Sequence, residues 1–434
     1  YSHWGRFYES IPLDINDRSF GGEVLFQQFF GAGGSNNQCG DVNDAIGGPD
    51  GNGCLDAVDG NGNPGNAIAG LGEGLFGSSG VLVAPGIKGQ YLDEILAGVE
   101  YELMDDLKLG IALQHRTLGR VLEDVSTDGA NTYIIANPGE WSEGEENKLR
   151  DELEQFVDDK NAIEPTCMSG LDPETLIECQ RQVNELALFR GIRVFDKPSR
   201  DYNALQFTAT RRFSKKLYMQ ASYTYSRSQG NFPGLYSPNN GQVDPNISSQ
   251  YDLIELLANR NGPLPQDKPH YIKVDGYYTF DLKKLGELTV GARFRALSGT
   301  PRDALGAHYL YGPDESFVLP RGTIGRTDFE HGLDLHIGYG KDIGKGMNIE
   351  VFGDIFNIYN RQGTAAVDDT YAIGFRDNAL NPISGGTYED LVWAKAVDGD
   401  GNETSSPVIR NPNFGNTSAR YRPLSVQLGA RLTF

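Results

Sequence analysis

No stretch of this 434-residue sequence approaches the run of about 18–20 consecutive apolar residues that a membrane helix requires. Only 38% of the residues are hydrophobic. Such averages suit a water-soluble protein, but they do not exclude a membrane strand, which needs only alternate residues to be apolar. Positive charge is also short. There are 38 Lys and Arg against 59 Asp and Glu, a net charge of −21, which argues against a nucleic-acid partner whose phosphate backbone would need a net basic surface. The signatures of common enzymes are missing: there is no GxSxG, no HExxH and no Walker loop. The turn from Gly340 to Lys345 has a passing phosphate-loop look with the wrong spacing. The sequence reads as a non-enzyme. The six His are scattered, and His115 and His336 read as polar rim or interior residues rather than ligands.

Cysteine is scarce and local. Cys39 with Cys54 and Cys167 with Cys179 form two close pairs in long polar segments, without the CxxC or neighbouring His of a zinc site. Disulfides in an oxidising compartment are expected.

What the sequence has is glycine, 55 residues, and aromatic rings, 21 Tyr and 21 Phe. Its strongest signal is a period of two. At the C-terminus Leu424, Val426, Leu428, Ala430, Leu432 and Phe434 alternate with Ser425, Gln427, Gly429, Arg431 and Thr433. A strand sends successive side chains to opposite faces, so one face is greasy and the other wet. The pattern recurs around Ile95–Leu103, Leu107–Leu113, Leu205–Ala209, Leu217–Tyr225, Ile272–Phe280, Leu288–Phe294, Leu333–Tyr339 and Met347–Ile355. A tenth strand is expected to end near Tyr8.

The connections sort by length. Short turns fall at 104–106, 214–216, 283–286 and 342–346, and long segments at about 9–91, 119–201, 229–269, 298–329 and 359–423. Soluble sandwiches alternate too, but they do not sort their loops in this way. The reading is an all-β, antiparallel up-and-down transmembrane barrel in a bacterial outer membrane, with short turns periplasmic and long loops outside. Both cysteine pairs then lie outside, in agreement with their oxidation.

The long segments carry most of the acid. Between Glu140 and Glu185 there are 14 acidic and 4 basic residues, read either as a solvated surface or as a device for repelling anions or capturing divalent cations. Two helices are expected in the 119–201 segment. One runs from Ser142 to Lys160, where Ser142 and Glu145 suit a capping box, and the other runs from Asp172–Pro173 toward Phe189. Two Asp/Asn/Gly runs, Asp398-Gly-Asp400-Gly-Asn402-Glu403 and Asp56, Asp59, Asn61 and Asn63, offer oxygens that could hold calcium without the full EF-hand spacing or its bidentate Glu at the twelfth position, or are simply turns. On the wet face Arg293, Arg295, Arg431, Glu350, Asp354, Asp334, Lys273 and Asp275 are expected to line the lumen. There they either pair across strands or contact a plug or passing ligand.

With these elements placed, four stretches resemble TonB-dependent outer-membrane transporters, and specifically the Oar-like branch. They are RFYESIPLDIND at 6–17, NGPLPQDKPHYIKVDGYYTF at 261–280 (Asp267, Pro269, His270, Lys273), ESFVLPRGTIGRTDFEHGLDLHIGYG at 315–340, and VFGDIFNIYNRQ at 351–362 followed by the terminal strand. The resemblance implies a 22-stranded barrel around an N-terminal plug, with this chain supplying about strands 13 to 22. The sequence opens on YSHWGRFY like the middle of a protein, so the signal, the plug and the TonB-contacting segment are expected upstream. Phe434 resembles the terminal signal read by the outer-membrane assembly machinery. Outer-membrane lipid and an unidentified extracellular ligand or protein complete the expected partners. A ligand or peptide transporter is the leading function, with a barrel-anchored adhesion or partner-binding protein and an open porin as alternatives.

Overall fold

The computed structural model describes residues 1–9, 82–84, 86–126, 129–130, 133–140, 192–234, 239, 249–344, 346–374 and 378–434. By its contacts the chain divides into two units, Tyr1–Ser10 with Ala84–Phe434, and Ile11–Val83. Every long strand among the described residues belongs to the first unit. All four cysteines, the Asp56–Asn63 run and both expected helices lie outside the described residues.

The frame is one antiparallel sheet whose ten long strands follow one another in chain order: β1 (Ser2–Tyr8), β2 (Tyr91–Met104), β3 (Leu107–Arg120), β4 (Arg200–Ser214), β5 (Leu217–Gly230), β6 (His270–Asp281), β7 (Glu287–Leu297), β8 (Glu330–Gly344), β9 (Met347–Phe356) and β10 (Ser425–Thr433). The alternation fixes the register. Ile111 stands opposite Phe207, Phe207 opposite Tyr223 and Tyr223 opposite Ile272, so one face accumulates apolar side chains from strand to strand. A one-residue slip would reverse every strand's faces. That apolar face is uncovered by protein: Val99 is 65% exposed, Leu113 60% and Leu428 80%. In water such a band would be an aggregation site, whereas in a bilayer it meets its natural solvent.

The strands join tightly at one end. The β4–β5 turn places Lys215 and Lys216 at φ 47° and 67°, and the β6–β7 turn places Lys283 at φ 55°. These left-handed conformations tighten the reversals and are more usually given to Gly or Asn.

At the other end the long connections build structure that the period-two pattern does not announce. Short antiparallel pairs form between Leu305–His308 and Gly312–Phe317, Thr364–Val367 and Thr417–Arg420, and Lys395–Val397 and Glu403–Pro407. Most of the buried apolar side chains are here and not in the sheet. Val318, Leu319, Tyr371, Leu380, Leu391 and Phe414 pack into one cluster. Val121, Val125, Ile134, Ile192, Phe232 and Tyr251 are also buried. The molecule therefore has two solvents: its sheet is apolar on the outside, while its connections fold as a water-soluble protein does, around an apolar interior.

Candidate functional site

Two places gather chemistry: the polar face of the sheet and the packed connections above it. On the polar face the register sets opposite charges on adjacent strands. Glu350 is directly across from Arg431, His336 from Asp354, and Arg293 from both Asp275 and Asp334. Arg295 Nη2 lies 2.8 Å from Oδ2 of Asp275, and Arg293 Nε is 3.9 Å from Oδ1 of the same carboxylate. His336 Nδ1 is 2.7 Å from Asp354 Oδ1, and Arg431 Nη1 is 3.5 Å from Glu350 Oε2. Asp334 Oδ1 accepts from the Asn357 backbone N–H at 2.8 Å. Six of the charges expected on the wet face thus form cross-strand pairs, whereas Lys273 stands opposite Arg295 and lies over the Tyr271 ring at 4.3 Å. The guanidinium side chains of Arg431 and Arg293 nevertheless stay 69% and 60% exposed, so this wall has charge left to offer. A pocket of about 440 Å³ opens on it, with Tyr218, Tyr277 and Phe356 as aromatic walls and Asp334, His336 and Asp354 as polar ones.

Above the sheet a second network is buried. Arg260 and Arg321 are 4% and 1% exposed, and both guanidinium groups lie over the Phe317 ring, at 5.3 and 4.2 Å from its centroid. Arg321 Nε donates to the Arg260 carbonyl at 2.7 Å, and Arg260 Nη2 to the Glu315 carbonyl at 2.8 Å. Each cation thus ties segments of the outer mass together through carbonyls. Nearby, the Tyr311 hydroxyl donates to Asp252 Oδ2 at 2.7 Å and stands 2.9 Å from the Tyr133 hydroxyl. Burial, and then the neighbouring Asp124, push the Asp252 carboxyl up to about 8. His308 is driven the other way by burial, down to about 4, although Glu255 lies 3.8 Å from its Nε2. Burial also lifts Asp369 to about 7 despite Arg302 at 3.7 Å. At neutral pH this interior therefore keeps Asp252 protonated and His308 neutral.

The motif stretches meet at the roots of these connections. Asp267, 1% exposed, pairs with Arg326 and accepts from the Ser228 N–H at 2.6 Å. Arg326 Nη1 also donates to the Asp267 carbonyl at 2.8 Å. Asn357, at φ 50° just past β9, donates through Nδ2 to the Arg361 and Arg422 carbonyls at 2.9 and 2.8 Å. Three of the stretches singled out by resemblance, at 261–280, 315–340 and 351–362, therefore supply clamps where strand becomes connection.

The Asp398 run forms a tight reversal between Lys395–Val397 and Glu403–Pro407. Asp398 Oδ1 accepts from the Asp400 and Asn402 N–H groups at 3.0 and 2.9 Å, so this carboxylate oxygen is spent on its own turn. Glu403 points toward Lys395 at 3.9 Å. Among the described residues no group of three or more His, Cys, Asp or Glu side chains converges as a metal would require. His115 Nδ1 meets Asn203 Oδ1 at 2.8 Å on the apolar face near the long-connection end. Phe434 is 94% exposed at the end of the apolar column of β10. Asp252, Arg260 and the two tyrosines gave no signal in the sequence, since buried loop residues follow no period.

Residues 147–287 match the family model for the outer membrane beta barrel domain. The chain is 35% identical over 371 residues, 82% of its length, to the TonB-dependent transporter Oar of Myxococcus xanthus. This chain is outer-membrane β-barrel sequence related to a TonB-dependent transporter. Its place is the bacterial outer membrane, and its apolar face is the lipid-facing one. It spans 29% of the Oar sequence. Among solved structures, it is similar to the ferric-catecholate import receptor Fiu from E. coli K12 (11% identity, 65% of this chain and 25% of that one, TM-score 0.33). It is similar also to the outer membrane transporter YddB from Escherichia coli (12% identity, 65% and 30%, TM-score 0.36). Values this low carry nothing about the detail of a site.

Proposed function

We propose that the whole protein is a TonB-dependent transporter that moves a scarce ligand or peptide across the outer membrane, and that this chain supplies one contiguous part of its barrel wall with the outer connections. The carrying observation is the 35% identity with a TonB-dependent transporter across most of the chain. In this reading the ten strands are about strands 13 to 22 of a barrel of 22. A plug fills the lumen against the polar face, and TonB engages a segment outside this chain. The exposed Arg431 and Arg293 guanidinium groups suit contact with a plug or a passing anionic group. The disulfides Cys39–Cys54 and Cys167–Cys179 belong to the same proposal, as does calcium held by the Asp56–Asn63 segment.

The packed mass above the sheet favours a second reading, in which the barrel anchors a surface that binds a protein partner. Two measurements on the whole gene product separate the readings. Transport predicts a plugged barrel with no steady conductance in planar bilayers and a growth or uptake defect that follows loss of TonB. An open channel would instead mean a porin. Loss of partner binding after deletion of residues 120–200, with barrel assembly intact and no ligand uptake to lose, would favour the anchored surface.

A further inference from the structure

In a chain of net charge −21, cations gather at three of the four short turns, while the turn at 104–106 is acidic. Arg211 continues the lipid-facing column of Leu205, Phe207 and Ala209, and Lys341 continues that of Leu333, Leu335, Ile337 and Tyr339. Neither cation meets a carboxylate there: Arg211 stands opposite Leu107 and Met219, and Lys341 opposite Ile349. Arg211 Nε is buried without a hydrogen-bond partner, and Lys215, Lys283, Lys284 and Lys341 make no ion pair with any described residue. Of the nearby acids, Glu287 shares a polar-face pocket with Lys283, Lys284 and Lys341, and Asp106 accepts from the Ser214 hydroxyl. Asp281 takes Lys216 at 3.1 Å, and Asp342 Oδ1 accepts from the Gly344 N–H at 2.7 Å. Apolar side chains stand among the cations, with Leu285 65% and Ile343 51% exposed, while Phe213 turns to the polar face and stacks on Tyr277 at 5.8 Å.

A long cation ending an apolar column carries its charge to the bilayer surface along its own methylenes, and exposed aliphatic groups beside it enter the acyl boundary. We propose that this rim binds the headgroups of anionic phospholipids in the leaflet that surrounds it, with Arg211 and Lys341 on the lipid side and the turn lysines completing the phosphate contacts. Two observations favour a phospholipid over a soluble anion. Arg211 and Lys341 are continuous with the lipid-facing band, and the aliphatic side chains of Leu285 and Ile343 are interleaved with the cations. The proposal rests on placing the short turns at the periplasmic leaflet, where the lipids are phospholipids.

The test is lipid retention by the full-length protein, extracted from outer membranes in mild detergent and stripped stepwise, with bound lipid identified by native mass spectrometry. Phosphatidylglycerol and cardiolipin should be enriched over phosphatidylethanolamine, by about fivefold per engaged cation at low salt. The variant Arg211→Gln, Lys283→Gln, Lys284→Gln, Lys341→Gln should lose that enrichment, while Arg211→Lys with Lys341→Arg should keep it. Bulk lipid ratios in the wild type, or no change in the Gln variant, overturn the proposal. Retention of lipopolysaccharide instead overturns the orientation with it. If the Gln variant does not assemble, the wild type decides, because its enrichment should fall as sodium chloride is raised and a salt-independent ratio refutes the electrostatic contact. Heat-modifiable mobility and outer-membrane fractionation are read first, so failure of the barrel itself is seen separately.

Discussion

Arg326 closes on the buried carboxylate of Asp267, and in doing so joins the connection that enters β6 to the one that enters β8. Removing Asp267 leaves a guanidinium facing a pocket made for its partner and the Ser228 N–H without its acceptor. Asp267→Ala should destabilise the outer mass by about 2–4 kcal/mol. The sheet should still assemble. Protease nicking and hydrogen exchange in the connections 231–269 and 298–329 should rise while heat-modifiable mobility is kept. Unchanged protection of those segments would show that the pair clamps nothing.

The two faces of β10 should respond oppositely to one charge. Leu428→Arg puts a cation into lipid and should cost about 2–4 kcal/mol if it lies near the midplane. Gln427→Arg, on the polar face, should cost little. Unfolding in denaturant from detergent or lipid vesicles measures both, and equal costs would mean the faces are misassigned.

Asp252 makes the outer mass sensitive to pH. Its carboxyl is raised to about 8 when folded, by burial and by Asp124, against an ordinary value near 4 when unfolded. Between those values the folded state holds the proton and the unfolded state does not, so this group's contribution falls as pH rises from about 4 to 8, by at most about 1.4 kcal/mol per unit. His308 works in the opposite sense. Its folded value is lowered to about 4, so its contribution rises as pH climbs from about 4 to 6.5. Asp252→Asn keeps the acceptor for Tyr311 and removes the titration. The difference between wild type and this variant in hydrogen-exchange stability should therefore shift steadily against the wild type over that range. A constant difference would show that Asp252 ionises normally.

Peptide mapping without reductant should recover Cys39 linked to Cys54 and Cys167 linked to Cys179. Free thiols, or cross-pairing between the two segments, would contradict local disulfides in an oxidising compartment.

The sheet was legible because its rule is local. Leu424 through Phe434 announce a two-faced strand without knowledge of any neighbour, and a reversal as short as Lys215–Lys216 requires the next strand to be antiparallel. The cross-strand pairs were half legible. Glu350 and Arg431 could be placed on the wet face, but their partnership needs the register between β9 and β10. The outer mass was not legible. Ile134, Ile192, Tyr251 and Phe414 are buried by contacts between distant connections, and no period marks such positions. Asp252 reads as one more acid in an acidic chain, and only burial makes it a titrating group near neutrality. The Asp398 run shows the reverse problem. Its alternating oxygens could serve calcium or a plain turn, and Asp398 Oδ1 accepts from the N–H groups of its own turn.

The clamps at Asp267 and Asn357 sit where strand gives way to connection, so the outer mass is tied down at its base. A cover attached by slack tethers can swing without disturbing what it covers, whereas one bolted at its footings works as a crowbar. A force applied to the outer mass, by a binding partner or by a ligand leaving, must either break a desolvated charge pair or tilt the upper ends of β6, β8 and β9. Mechanical load applied outside the membrane is thereby delivered to the staves of the wall.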